Sequence, residues 1–251
     1  MVKFSMQDDP ELNLFGVMDG HGEFGHLVAT YVQENLPTCL AKQKSLKDDT
    51  EKGILDGVKE CVTDLPDMKI NTAFSGTTCV FGVLNKSKLY VANIGDSRCV
   101  MCRQINGDNT EAIELSRDQK PEDPGEKERI LAANGRVEPL PGPPGEDCGP
   151  PRVWLKDVDV PGLAMSRSIG DDVSQAVGVI SVPEIKTHDV ESNDIFAIWA
   201  SDGVWEFMSS KEAVDLVWRY RNDLPKAVDE LCGEATRRWK QEEEVIDDIT
   251  A

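Results

Sequence analysis

The sequence predicts an α+β fold built around an antiparallel meander. Three observations lead there. Short apolar stretches joined by tight turns follow one another from Thr77 to Leu115, the pattern of neighbouring antiparallel strands and not of a parallel βαβ array. Helical spacing of apolar residues occurs in blocks on either side of that run. The chain has 251 residues, 39% hydrophobic and 29% charged, enough to bury a substantial core without disulfide staples. One large domain over residues 1–251 is the expected organisation, with two small domains as the alternative.

Leu12 to Met18 is an apolar run followed by glycine and reads as a buried strand. Gln7-Asp8-Asp9 just before it reads as a hairpin turn. Leu27, Val28, Tyr31, Val32 and Leu36 recur at helical spacing, predicting a helix from His26 to Leu40. Ile54, Leu55, Val58 and Val62 predict a second from Glu51 to Leu65. The period then changes to strands at Thr77–Leu84, Leu89–Ile94, Ser97–Gln104 and Glu111–Leu115, with Asn106-Gly107 as a hairpin signal. Pro124 to Asn134 is a helix stopped by Gly135. The Pro- and Gly-dense stretch from Pro139 to Pro151 is expected to be a surface loop. Asp194–Ala200 is another buried strand. Ser209-x-x-Glu212 forms a capping box that opens a helix, and a last helix runs from about Leu224 to Lys240.

Charge and composition exclude several classes. A formal net charge of -19 repels phosphate backbones, so no nucleic-acid partner is expected. No run approaches the apolar length of a membrane span, and the first residues lack the apolar stretch of a signal peptide. The seven cysteines are odd in number and scattered, which favours a reducing intracellular compartment, cytoplasmic or nuclear. Cys99-x-x-Cys102 lies in a strand-like run, where positions three apart face opposite sides, and this speaks against a zinc or redox pair.

The informative pattern is carboxylates where strands stop. Asp19-Gly20, Gly95-Asp96, Gly170-Asp171 and Asp202-Gly203 each end an apolar or strand-like stretch, and Asp247-Asp248 precedes Ile-Thr. Singly, each reads as a turn. Together, carboxylates converging on one cleft would repel one another and need cations, and hard oxygen ligands suit Mg²⁺ or Mn²⁺. His21, inside Asp19-Gly-His-Gly22, is a candidate general acid. His26 and His188 receive no role, the latter because it lies on a polar stretch taken as exposed. Neither a nucleophile elbow nor a Walker A loop is present, leaving metal-activated water as the nucleophile.

These residues resemble a known family. Phe15-Gly-Val-Met-Asp-Gly-His-Gly22, Ser75-Gly-Thr-Thr78, Asn93-Ile-Gly-Asp-Ser-Arg98, Ala164-Met-Ser-Arg-Ser-Ile-Gly-Asp171, Ala200-Ser-Asp-Gly-Val-Trp205 and Asp247-Asp-Ile-Thr250 occur in the order seen in the metal-dependent serine/threonine phosphatases of type 2C, the PPM family. Gly149–Leu155 and Asp247–Thr250 are closer to plant and protist members than to animal ones. The resemblance implies two antiparallel sheets between two pairs of helices, a four-layer αββα sandwich. It implies that Asp19 bridges two Mg²⁺ or Mn²⁺ ions with the Gly20 carbonyl on one of them, that Asp202 and Asp247 ligate the other, and that Asp96 with Asp202 holds a third in some members. Asp171 matches a further acidic position near the site. Residues 172–180 would form a mobile flap that contacts substrates.

The sequence also departs from the family pattern. No metal-binding acid and no phosphate-binding arginine precede Asp19, no strand follows Thr250, and both ends read as those of a clipped catalytic domain lacking its first and last strands. No residue is assigned to substrate binding. The expected function is hydrolysis of phosphoserine and phosphothreonine in phosphoprotein substrates by a monomer. The alternative is a catalytically dead pseudophosphatase serving as a binding or regulatory module.

Overall fold

The computed structural model describes residues 1–142 and 148–251. Among these, the strands in chain order are β1 (Val2–Lys3), β2 (Leu12–Val17), β3 (Gly20–His21), β4 (Gly76–Thr77), β5 (Cys79–Asn85), β6 (Lys88–Ile94), β7 (Arg98–Asn106), β8 (Asn109–Glu114), β9 (Arg136–Leu140), β10 (Cys148–Trp154), β11 (Pro161–Leu163), β12 (Ile169–Gly170), β13 (Glu184–Asp189) and β14 (Asp194–Ala200). The helices are α1 (Gly25–Lys42), α2 (Thr50–Asp64), α3 (Pro124–Ala132), α4 (Asp172–Gln175), α5 (Asp202–Trp205), α6 (Ser210–Arg219) and α7 (Leu224–Glu242).

Period-two alternation sorts the strand residues into layers. On β5, Cys79, Phe81 and Val83 point to one side, where they pack with Val28 and Leu36 of α1 and Ile54 of α2. Val80, on the other side of β5, meets Cys99 and Met101 of β7 in the space between the sheets. Val100 and Cys102 of β7 face outward onto Val214 and Val217 of α6 and Leu231 of α7. The order is therefore helix pair, sheet β1-β2-β5-β6-β13, sheet β14-β7-β8, helix pair. This is the expected antiparallel α+β sandwich. Cys99 and Cys102 fall in different layers, as their spacing requires.

The stretch from Pro139 to Pro151 differs from expectation. Residues 143–147 lie outside the described residues, but the flanks form β9 and β10, which pair antiparallel with Val137 opposite Val153. The register slips between Cys148 and Arg152, the stretch that contains Pro150 and Pro151, whose nitrogens have no hydrogen to donate. Pairing resumes because Val153 and Leu163 bury against Ile130 of α3, so a small apolar core overrides the turn-like composition. His188 also departs from expectation. It is largely buried, and its Nε2 lies 2.8 Å from Asp194 Oδ2. The expected turn before Leu12 does form, and it brings β1 alongside β2 with Val2 opposite Phe15.

Candidate metal centre and active site

Asp19, Asp96, Asp171 and Asp202 stand where strands end, and Asp247 lies in the irregular segment after α7. Asp19 follows β2 and is clamped through its backbone. Its carbonyl accepts from Thr78 N at 2.8 Å and Thr77 Oγ1 at 3.0 Å, and its own N–H donates to Thr78 Oγ1 at 3.1 Å. The Ser75-Gly-Thr-Thr78 motif thus fixes the direction of the Asp19 side chain. Asp202 opens α5 directly after β14. The backbone of Asp248 passes so close to Gly203 that any Cβ there would strike its carbonyl. Thr250 O accepts from Ser201 N at 3.0 Å and Ser201 Oγ donates to Asp248 O at 3.1 Å, which holds the Asp247–Thr250 segment beside Asp202.

Electrostatically these groups belong together. Asp19 and Asp202 lie close enough for each to bear on the other's ionisation. Burial raises the Asp202 carboxyl to about 9, with the charges of Asp96, Asp19 and Asp247 adding to it and Lys120 opposing. Burial likewise raises Asp19 to about 6; neighbouring Asp202 pulls the other way, and the charges of Asp247 and Asp96 push further up. A cluster that resists ionisation so strongly is the donor set a divalent cation would stabilise. The aspartates do not close into a tight three-ligand cage. Among the described residues, only Cys39, Glu60 and Asp64 bring three ligand atoms within 4.8 Å of one another. That group lies between α1 and α2, and its Glu60 is already held by Lys42 at 2.6 Å and Gln43 at 2.7 Å.

His21 and Asp171, 150 residues apart, are brought into contact with His21 Nε2 2.6 Å from Asp171 Oδ2. Ser168 Oγ donates to the same oxygen at 2.6 Å. Asp171 is buried in the left-handed region at φ 53, and its N–H donates to Ser75 O. Burial works against the His21 imidazolium, but the hydrogen bond and charge of Asp171, with Asp96 and Asp19 behind it, raise the pKa above its ordinary value. Asp171 therefore orients the ring and favours its protonated form.

Sequence reasoning missed Lys120. Its Nζ donates to Asp96 Oδ2 at 2.8 Å, and Asp96 is buried. Nothing in the sequence around Lys120 marks it, because the contact spans 24 residues. His26 is exposed on α1. Residues 172–180 form α4 and the turn after it, with Ser174, Val177 and Val179 buried. An apolar groove of about 230 Å³ lies elsewhere, at the open edge of the sandwich, lined among others by Phe15, Phe196, Ile198 and Leu231. It contains no titratable side chain.

The sequence model of the protein phosphatase 2C family matches residues 2–244. The chain is 36% identical to the probable protein phosphatase 2C 73 of Arabidopsis thaliana, over 95% of its own length and 68% of that protein. It is 34% identical to the probable protein phosphatase 2C 35 of the same plant, over 99% and 75%. In three dimensions it is similar to the serine-threonine phosphatase 2C of Toxoplasma gondii, with a TM-score of 0.77 at 23% identity, covering 96% of this chain and 83% of that one. At that identity the structural likeness speaks for the fold. The family match and the plant relatives speak for descent, and with the ordered motifs now placed around one half-buried carboxyl pair, the chain belongs to the protein phosphatase 2C family.

Proposed function

We propose that the chain hydrolyses phosphoserine and phosphothreonine in proteins at the Asp19–Asp202 carboxyl pair, in a reaction that depends on Mg²⁺ or Mn²⁺. The observation that carries this reading is the pair itself, two half-buried carboxyls at strand ends whose ionisation is opposed by desolvation and by neighbouring carboxylates. Asp19, the Gly20 carbonyl, Asp202 and Asp247 would hold two ions, and Asp96 with Asp202 a third. All are oxygen donors, a set that suits hard cations over zinc. When bound, the ions acidify the attacking water and screen the phosphoryl oxygens. The chain's own residues do the rest. The Thr77–Thr78 clamp fixes Asp19, Asp171 holds His21 by Nε2, and His21 keeps a proton on Nδ1 for the departing serine or threonine alkoxide.

Residues 1–251 act in this reading as one catalytic domain and as a monomer, with residues 172–180 as the segment facing the phosphoprotein. No helix among the described residues is long and apolar enough to cross a membrane. All seven cysteines are free thiols, which supports a reducing intracellular compartment, cytoplasmic or nuclear. Asp19, Asp202 and Asp247, whose loss would mark a catalytically dead relative, are all in place.

Chelation tests the reading. Exhaustive EDTA treatment is expected to abolish phosphopeptide hydrolysis, and Mg²⁺ or Mn²⁺ to restore it. Activity that survives chelation, or that returns only with zinc, would overturn the proposal.

A further inference from the structure

We propose that Lys120 is a tethered cation seated on the Asp96 side of the metal centre, where it weakens the binding of the divalent ion shared by Asp96 and Asp202. The inference rests on the metal-centre reading above and adds to it the residue that controls one of its sites. Lys120 Nζ sits 2.8 Å from Asp96 Oδ2, and the Asp96 side chain is only 2% exposed. The ammonium also lies within the field of Asp118 and Asp202. It already supplies positive charge to a carboxylate that would otherwise be buried without a partner. A divalent ion approaching Asp96 must either push the ammonium away or sit beside a like charge, and both weaken its binding.

The mount of Lys120 shows that this placement is built in. The preceding Gln119 is fully buried and clamps the Asp96 loop from both sides. Its Oε1 accepts from Gly95 N at 2.7 Å, its N–H donates to Gly95 O at 3.1 Å, and its Nε2 donates to Asn93 O at 3.0 Å. Ser166 N and Oγ both donate to Gln119 O. Asp118 is held by Arg98 through two bonds of 2.8 and 2.7 Å. Arg98 is thereby committed, which leaves Lys120 as the cation that reaches Asp96. A lysine suits this task because its charge is compact and its four-carbon stem can swing the ammonium out when an ion arrives.

The test is a Mn²⁺ titration of the full chain, reading free Mn²⁺ by electron paramagnetic resonance, for the wild type, Lys120→Met and Lys120→Arg. Lys120→Met is expected to tighten the weakest Mn²⁺ site roughly tenfold, whereas Lys120→Arg stays near the wild type. The tightening should vanish when Lys120→Met is made in an Asp96→Asn background. If Lys120→Met does not fold, as judged by circular dichroism, Lys120→Gln carries the same comparison. A neutral variant that leaves every site within about twofold of the wild type, or weakens them all, overturns the proposal. If Mn²⁺ binding still falls with Asp202→Asn, only the lysine role is lost. If the wild type shows no Asp202-dependent Mn²⁺ binding, the lysine role and the metal-centre reading fall together.

Discussion

His21 shows how one residue acquires a role from a partner far away in the chain. Its position in a Gly-flanked motif made it a candidate acid, and Asp171 was visible as one more carboxylate after glycine. Their 2.6 Å contact was not legible, because it is made by β3, β4 and β12 pairing in register, with Gly20 and Ile169 both opposite Thr77. Strands of two residues leave no period to read. Lys120 was missed for a similar reason, since a lysine beside a proline carries no local signal until folding places it on Asp96. If His21 donates the leaving-group proton, His21→Gln should slow phosphopeptide hydrolysis by ~10²–10⁴-fold and p-nitrophenyl phosphate hydrolysis far less, because p-nitrophenolate leaves without a proton. Parallel kinetics on the two substrates check this. Equal losses, accompanied by weaker Mn²⁺ binding, would make His21 a support for the Asp19 loop.

Elements were legible where a period ran long enough. The alternation on β5, β6, β7 and β14 matches the layers their side chains enter, and the helices begin and end within a few residues of the expected bounds. The capping box of α6 forms as read, with Ser209 Oγ accepting from Glu212 N and the Glu212 side chain accepting from Ser209 N. Where composition opposed packing, as in β9 and β10, packing won. The same physics makes Gly82 a specific test of the sandwich. It lies on the inner face of β5, and a Cβ there would collide with the Trp199 ring from β14 in the opposite sheet. Gly82→Ala should lower stability by about 1–3 kcal/mol through overpacking, measured as a shift in the urea midpoint. An unchanged midpoint would mean the two sheets do not meet as described.

On the scale of the whole molecule, the net charge of -19 and the four convergent aspartates predict how the metal-free protein responds to pH. Asp19 and Asp202 have folded-state pKa values raised from 3.8 to about 6 and about 9. A raised carboxyl favours folding in its protonated form, so its contribution is fully present below about pH 4 and is lost progressively as pH rises from there to about 6 for Asp19 and about 9 for Asp202. Glu126, Asp194 and Glu212 are lowered to about 2, so their contribution is constant above about pH 5 and is lost only as pH falls toward 2. The melting temperature of the EDTA-treated protein should therefore fall between pH 5 and 9, and Mn²⁺ should flatten the fall by taking the place of protons. A metal-free melting temperature that rises across that window would contradict this account of the carboxyl pair. The most direct test of the central claim is Mn²⁺-dependent phosphopeptide hydrolysis by Asp202→Asn, measured beside its metal-free melting temperature. The account predicts loss of turnover with a melting temperature equal to or above that of the wild type at pH 8, because Asp202, raised to about 9 in the fold, must take up a proton on folding at that pH and an amide need not. Wild-type turnover in the folded variant would contradict it.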